Sequence, residues 1–265
     1  MESFTRNQNF AVIAAGGLGT RRAEWSRFIP KEYFPVRGKP GIALLLEEIA
    51  ELGNVHAVMV HHPYYSQFAT WASRVLNAPD TYDRLAGTAP RPQSRPGVSL
   101  ELIPQRGPYG DITSVLNADD HLGRPTDLFV LYSDNLYPRA HPTASLHDLG
   151  DVGTVVFARP YSRDEAAHRG VLVCDGDHAI GLVEKPDGPT ARGLEARYGP
   201  DNLALLEGRA RVGRSFLDFL HSYRPPGGEP KLSLALAAYA RTAPVRVLRA
   251  NTPVTDLGTP RPEAS

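Results

Sequence analysis

Cysteine is nearly absent from this sequence: Cys174 stands alone among 265 residues. One thiol forms neither an intramolecular disulfide nor a cysteine-based zinc site, which points to a reducing compartment. Net charge is missing too, because 29 Lys and Arg balance 29 Asp and Glu. That balance argues against a protein whose main partner is the phosphate backbone of nucleic acid. No apolar stretch approaches the roughly 20 residues that span a bilayer. The run Phe10 to Ala15, behind a polar start, is too short for a signal-peptide core. The expectation is a cytoplasmic protein that uses no membrane. Lysine is also scarce, with four (Lys31, Lys39, Lys185 and Lys231) against 25 arginines. A lysine kept against such a bias marks a place where a compact point charge does what a guanidinium fork does not.

What is present is an alternation of two hydrophobic periods. Phe10 to Ala15 is a continuous apolar run ending in Gly16-Gly17, the pattern of a buried parallel strand entering a glycine loop. Ile42, Leu45, Leu46, Ile49 and Leu52 repeat at helical spacing, with Glu47, Glu48 and Glu51 on the outer face. A strand at 55–60, a helix capped by Ser66, a strand at 99–103, a helix behind Gly110 and a strand at 127–132 follow. The segment from Asn77 to Gly97 has no period and reads as an exposed loop. The order implies an α/β fold, a Rossmann-like, mixed, mostly parallel sheet flanked by helices. Beyond Asp134 the pattern is less regular and richer in strands. It holds a strand at 153–158, a hairpin about Asp175-Gly176, strands at 203–206 and 245–248, and helices near 216–220 and 231–241. Cys174 falls in an apolar strand and reads as a core thiol.

Gly16-Gly17-Leu18-Gly19-Thr20-Arg21 sits where the first strand ends, a place where backbone N–H groups can meet phosphate oxygens. The dinucleotide fingerprint fails at Arg22, and no Gly-Lys-Ser/Thr follows. On the glycines alone, a tight turn without a ligand and a phosphate cradle remain equally open.

The wider context is more specific. Arg21 is followed ten residues later by Lys31 in Pro30-Lys31-Glu32-Tyr33-Phe34-Pro35, then by Lys39-Pro40. This resembles the signature of the sugar-1-phosphate nucleotidylyltransferases, and is most similar to the bacterial glucose-1-phosphate uridylyl- and thymidylyltransferases. Further segments match in family order: Gln105 to Gly110, Tyr132-Ser133-Asp134-Asn135, His168-Arg169-Gly170-Val171, Val183-Glu184-Lys185-Pro186, Gly228-Glu229 with Leu232 to Leu236, and Asp256 to Pro260. The resemblance spans about residues 10–260. It implies one unit over 1–265, with a nucleotide-binding half (about 10–135) and a sugar-phosphate-binding half (about 136–265). It implies Arg21 and Lys31 as catalytic residues, and Gly16, Gly17, Gly19, Thr20, Gln105 and Gly110 at the nucleotide. Asn135, Gly170, Glu184 and Lys185 would meet the sugar phosphate, and Asp134 and Asp256 would jointly hold Mg²⁺. The partners implied are an NTP, UTP or dTTP first, and a phosphorylated sugar or sugar-like molecule; a homo-oligomer is compatible with it. Lys39 reads equally well as loop support, and Arg22 and Trp25 as a lid over the triphosphate.

This sequence departs from the family pattern in several places. Arg22-Ala23-Glu24 replaces a usual proline, Ser133 stands for a glycine, Leu232 to Leu236 lacks its Asp, and Thr255 precedes Asp256 in place of an aromatic. Most of these lie toward the sugar side. The acceptor is therefore open to a non-glucose sugar, a cyclitol, or another phosphate of secondary-metabolite or polysaccharide synthesis. Two further readings stand beside the enzyme: a non-catalytic nucleotide-sugar-binding homologue, and a cytidylyltransferase acting on a non-sugar phosphate or phosphonate. Retention of Arg21, Lys31, Asp134 and Asp256 together disfavours the first, and the Glu184-Lys185-Pro186 and Asp256 motifs disfavour the second. His61, His62 and the other histidines lack metal-ligand spacing and read as surface or loop residues, and Arg209, Arg211 and Arg214 read as a solvated face.

Overall fold

The computed structural model describes residues 8–77, 97–151, 153–225 and 227–258. The loop expected at 77–97 lies almost wholly outside them, as do Thr259 and Pro260. The described strands are β1 (Asn9–Ala15), β2 (Pro35–Val36), β3 (Lys39–Pro40), β4 (Val55–His61), β5 (Val98–Pro104), β6 (Asp127–Tyr132), β7 (Asn135–Leu136), β8 (Thr154–Pro160), β9 (Gly170–Asp175), β10 (His178–Glu184), β11 (Leu203–Gly213), β12 (Val245–Arg249) and β13 (Thr255–Asp256). Nine of them form one sheet in the order β5-β4-β1-β6-β11-β8-β12-β10-β9.

The period of two sorts the sheet residues onto two faces. Val12, Val58, Val130 and Val156 are buried on one side, and Ala11, Ile13, Met59, Leu131 and Phe157 on the other, as a sheet covered on both faces requires. The first side packs against helices Asp111–His121, Arg214–Ser222 and Leu232–Tyr239 through Val115, Phe216 and Leu236. The second packs against the helix Gly41–Ala50 through Ile42, Leu45 and Ile49. Cys174 is buried in the first cluster. No helix among the described residues is long and apolar enough to cross a membrane.

Connectivity places the cleft. The chain passes from β1 outward to β4 and β5, then returns to lay β6 against the other side of β1, all in parallel. Such a reversal opens a crevice beyond the carboxyl ends of the two strands. Gly16 follows β1 and Ser133-Asp134 follows β6, and the Ser133 N–H donates to the Ala14 carbonyl at 3.2 Å. Antiparallel pairs are concentrated in the second half, where β11 links the halves. It pairs with β6 through its end, with β9 through its start, and with β8 on both sides of a register shift between Leu206 and Ala210.

Several expectations need correction. The strand expected at 203–206 runs on to Gly213 because the polar Glu207 and Arg209 are themselves buried. Arg209, Arg211 and Arg214 are not a solvated face: they pair with Glu48, Asp127 and Asp119 respectively. Glu48 accordingly lies on the buried side of its helix, and His61 is buried at the end of β4. Helix Gly188–Tyr198 escaped the periodicity because it is polar almost all round and buries only Ala191. Its start is marked by Pro189 and by the Asp187 side chain, which accepts from the Thr190 N–H at 2.8 Å.

Candidate active site

A cleft of about 430 Å³ opens at the ends of β1 and β6. Its walls include Gly16, Gly17, Gly19, Thr20, Arg21, Lys31, Gly110, Asp134, Asn135, Gly170, Glu184 and Lys185. Two expected residues, Gln105 and Asp256, stand just behind the wall, each against a glycine that lines it. A Cβ on Gly16 would lie 2.0 Å from Gln105 Oε1. A Cβ on Gly258 would lie 3.1 Å from Asp256 Oδ1, 3.4 Å from Asp134 Oδ2 and 3.0 Å from Arg21 Nη2.

The glycine loop is held from beneath. Gly19 has φ 64°, a left-handed conformation that glycine adopts without steric penalty. Its carbonyl accepts the Ser26 hydroxyl at 2.8 Å, and the same hydroxyl reaches the Arg22 carbonyl at 2.9 Å. The Tyr65 hydroxyl donates to Leu18 O at 3.3 Å and bonds Ser26 O closely. The loop therefore presents Thr20 and Arg21 on a short 3₁₀ turn pinned to the core. Arg22 and Trp25 do not arch over the cleft. The Arg22 guanidinium sits 4.7 Å above the Phe34 ring, and Trp25 meets the same ring edge-on. Lys39 also turns away and bonds Glu47 at 2.8 and 3.0 Å, the loop-support role.

Lys31 contacts Asp134 directly. Burial pulls the ammonium down, yet the adjoining carboxylate holds it above its ordinary value. Burial likewise pushes Asp134 up, and Lys31 more than offsets this, leaving the carboxyl below its ordinary range. Both groups are thus charged at neutral pH. Asp134 Oδ2 and Asp256 Oδ1 both approach the Cβ position of Gly258, beside Arg21 Nη2, and two such carboxylates are a hard-oxygen donor set that suits a divalent cation. A second acidic group, Asp119, Asp120 and His221, lies elsewhere. There the Arg214 fork takes both Asp119 oxygens at 2.7 and 2.8 Å, so it is an ion-pair network.

At the other end of the cleft, Gly170 and Glu184 face one another in register across the β9–β10 hairpin. A Cβ on Gly170 would stand 3.2 Å from Glu184 Oε2. Lys185 adopts φ 47°, unusual for a side-chain-bearing residue, and its N–H donates to the Arg169 carbonyl at 3.0 Å. The structure adds wall residues that the sequence reasoning did not assign: Tyr109, Asp111, Arg169, Glu207 and Lys231. Lys231 Nζ lies 3.8 Å from Glu184 Oε1, as does Lys185 Nζ. The scarcity of lysine, applied to all four, would have found it.

A family model described as nucleotidyl transferase matches residues 10–213. The UTP–glucose-1-phosphate uridylyltransferase YngB of Bacillus subtilis is 26% identical over 261 residues, covering 91% of this chain and 82% of that protein. The bifunctional protein GlmU of Parvibaculum lavamentivorans is 25% identical over 238 residues, covering 84% of this chain and 47% of that protein, so the chain spans about half of that relative. Among solved structures, a UDP-glucose pyrophosphorylase from Acinetobacter baumannii aligns with TM-score 0.72 over 95% of this chain and 89% of its own, and at 24% identity the likeness is one of fold. The family model takes in both the glycine loop and the Asp134 turn, and on that match the chain belongs to the nucleotidyl transferase family.

Proposed function

We propose that this protein transfers a nucleoside monophosphate from an NTP, UTP or dTTP, to a sugar-1-phosphate or sugar-like phosphate, releasing pyrophosphate. The observation that carries the reading is the meeting, around one cleft, of Arg21, Lys31, Asp134, Asp256, Glu184 and Lys185 from distant segments of the chain.

An oxygen of the acceptor phosphate attacks the α-phosphorus of the NTP in line. The new O–P bond forms as the α–β bridging bond breaks, and the electron pair leaves on pyrophosphate. The attacking oxygen is already ionised, so no general base is needed, and catalysis consists of positioning and charge neutralisation. Arg21 forks oxygens of the leaving pyrophosphate, and Lys31 brings its charge to the triphosphate. Asp134 and Asp256 would hold Mg²⁺, which when bound would neutralise charge on the phosphates. Lys185 pairs with the acceptor phosphate, and Glu184 accepts hydrogen bonds from its hydroxyls over Gly170.

Gln105, with Gly16 and Gly110, frames the base. The Pro108 carbonyl accepts from Gln105 Nε2 at 3.1 Å, and Ser114 donates to Oε1 at 3.0 Å, which fixes the orientation of the amide. One N–H and one acceptor lone pair remain, matching the donor-acceptor edge of uracil or thymine.

The test is pyrophosphate release from each NTP with Mg²⁺ and a panel of sugar-1-phosphates, with CTP and a cyclitol phosphate as a further arm. Release with UTP or dTTP supports the reading. Release only in the CTP arm transfers it to a cytidylyltransferase, and none with any pair, in folded protein that binds nucleotide, leaves a non-catalytic binder.

A further inference from the structure

Arg209 is one of the largest fully buried side chains among the described residues. Its Nε and Nη2 donate to Glu48 Oε1 and Oε2 at 2.9 and 2.8 Å. The remaining donors go to backbone. Nη1 reaches Tyr132 O at 3.2 Å and Gly208 O at 2.8 Å, and Nη2 reaches Asn135 O at 2.8 Å. Tyr132 and Asn135 are the two ends of the turn that carries Asp134. One guanidinium therefore clamps both ends of that turn, while its other edge is anchored on the helix Gly41–Ala50 through Glu48.

The surroundings keep the guanidinium in place. Thr143 donates to Glu48 Oε1 through its hydroxyl and through its N–H at 3.3 Å. The Tyr137 ring lies under the guanidinium at 4.8 Å. Gly208 allows β11 to approach the turn this closely, since a Cβ there would stand 2.5 Å from Asn135 Oδ1. On the far side, the Asp134 carbonyl accepts the Leu257 N–H at 2.8 Å, and β7 pairs Asn135 with Asp256. The turn is thereby tied both to the buried arginine and to the strand bearing the second carboxylate. A buried ion pair is a weak source of stability compared with apolar packing of the same volume. Its geometry here serves orientation: five forked donors reach Glu48 and two separated turn carbonyls at once, which a lysine cannot do.

We propose that Arg209, anchored by Glu48, is a positioning residue that fixes the Tyr132–Asn135 turn so that the Asp134 carboxylate meets Asp256 around a divalent cation. The proposal rests on the reading of Asp134 and Asp256 as cation ligands. Outer partners that orient metal ligands commonly affect metal affinity by about 10- to 100-fold.

The test uses Mn²⁺ as the probe, titrated into the full chain and followed by electron paramagnetic resonance, together with amide hydrogen exchange and thermal melting. Replacing the pair by apolar residues, Arg209→Met with Glu48→Leu, should leave a folded protein. It should weaken Mn²⁺ binding at least about tenfold and speed exchange at Ser133 and Leu257. Arg209→Lys, which keeps a charge for Glu48 but loses the fork, should weaken Mn²⁺ similarly, and it carries the test if the double variant does not fold. Wild-type Mn²⁺ affinity in either folded variant overturns the proposal. Asp134→Asn in the otherwise native chain separates the two ideas: unchanged Mn²⁺ binding there removes the cation reading itself, whatever Arg209 does.

Discussion

The Lys31 ammonium rests on Oδ2 of Asp134, so the group assigned to the triphosphate and the group assigned to the cation neutralise each other in the free cleft. A cation taking Oδ2 would compete with this ammonium, which, once displaced, is free to meet a phosphate oxygen. Lys31→Ala is expected to lower kcat by about a hundredfold or more, the scale of losing one preorganised charge, with little change in KM for the acceptor. Lys185→Ala should chiefly raise that KM. Steady-state kinetics in both substrates decides it, and equal effects of the two variants on NTP binding alone would refute the division of labour.

Gly170 lies directly across the hairpin from Glu184, with room for a Cβ only 3.2 Å from the carboxylate. Gly170→Ala should push Glu184 away from the acceptor hydroxyls and raise KM for the acceptor phosphate while leaving nucleotide binding intact. Calorimetric titration of nucleotide, beside acceptor kinetics, checks both halves of that statement. A parallel loss of nucleotide affinity contradicts it.

Gly208 makes the closest approach to the Asp134 turn from behind, with Asn135 Oδ1 2.5 Å and Tyr132 Cβ 3.0 Å from where a Cβ would be. Gly208→Ala has to displace backbone or the buried Asn135 side chain. Overpacking of this kind costs about 1–3 kcal/mol. A lower melting temperature and a reduced kcat are expected together, and an unchanged value of either would show that the turn yields freely.

Glu32 adds a pH dependence. It is completely buried, no other residue supplies either carboxylate oxygen with a hydrogen bond, and burial pushes its carboxyl up from 4.5 to about 7, against the pull of its own backbone amide and of Lys31. The folded state thus holds this proton more tightly than the unfolded chain. The associated stability is complete below about pH 4.5 and is lost as pH rises through about 7. Asp111, raised to about 6 by burial, acts in the same direction at lower pH. Glu32→Gln keeps the shape and cannot ionise. Its unfolding free energy should match that of the native chain near pH 5 and exceed it at pH 8, by at most about 3 kcal/mol. Superimposable stability profiles from denaturant melts across that range would contradict this.

Much of the cleft was legible because its chemistry needs residue types that stand out locally. Gly16 and Gly19 follow the end of the apolar β1, Gly110 immediately precedes the helix Asp111–His121 and Gly170 opens β9, and Asp134 and Glu184 lie at or just past strand ends where alternation stops. What escaped depends on contacts between distant segments. The spacing of 42–52 sets Glu48 at the edge of the apolar stripe, three residues after Leu45 and four before Leu52, but a charged residue there reads as outward because the partner that makes its burial tolerable is Arg209, 161 residues away. The same pairing hid the second half of β11, whose Glu207-Gly208-Arg209 breaks the apolar run that would mark a strand. Helix Gly188–Tyr198 has little apolar face to reveal it, and only its Asp187 cap and Pro189 announce the start. Lys231 was visible in composition and invisible in motif. Its place beside Glu184 follows from the packing of helix Leu232–Tyr239 under the sheet.

The most direct measurement of the central claim follows the label of an NTP carrying ³²P at the α-phosphorus, incubated with Mg²⁺ and an acceptor sugar-1-phosphate that supports turnover. Attack at the α-phosphorus predicts that all of the label enters the nucleotide-sugar product and none enters pyrophosphate, and that Asp134→Asn abolishes the transfer. Label recovered only as free nucleotide, or transfer unaffected by Asp134→Asn, would contradict the account.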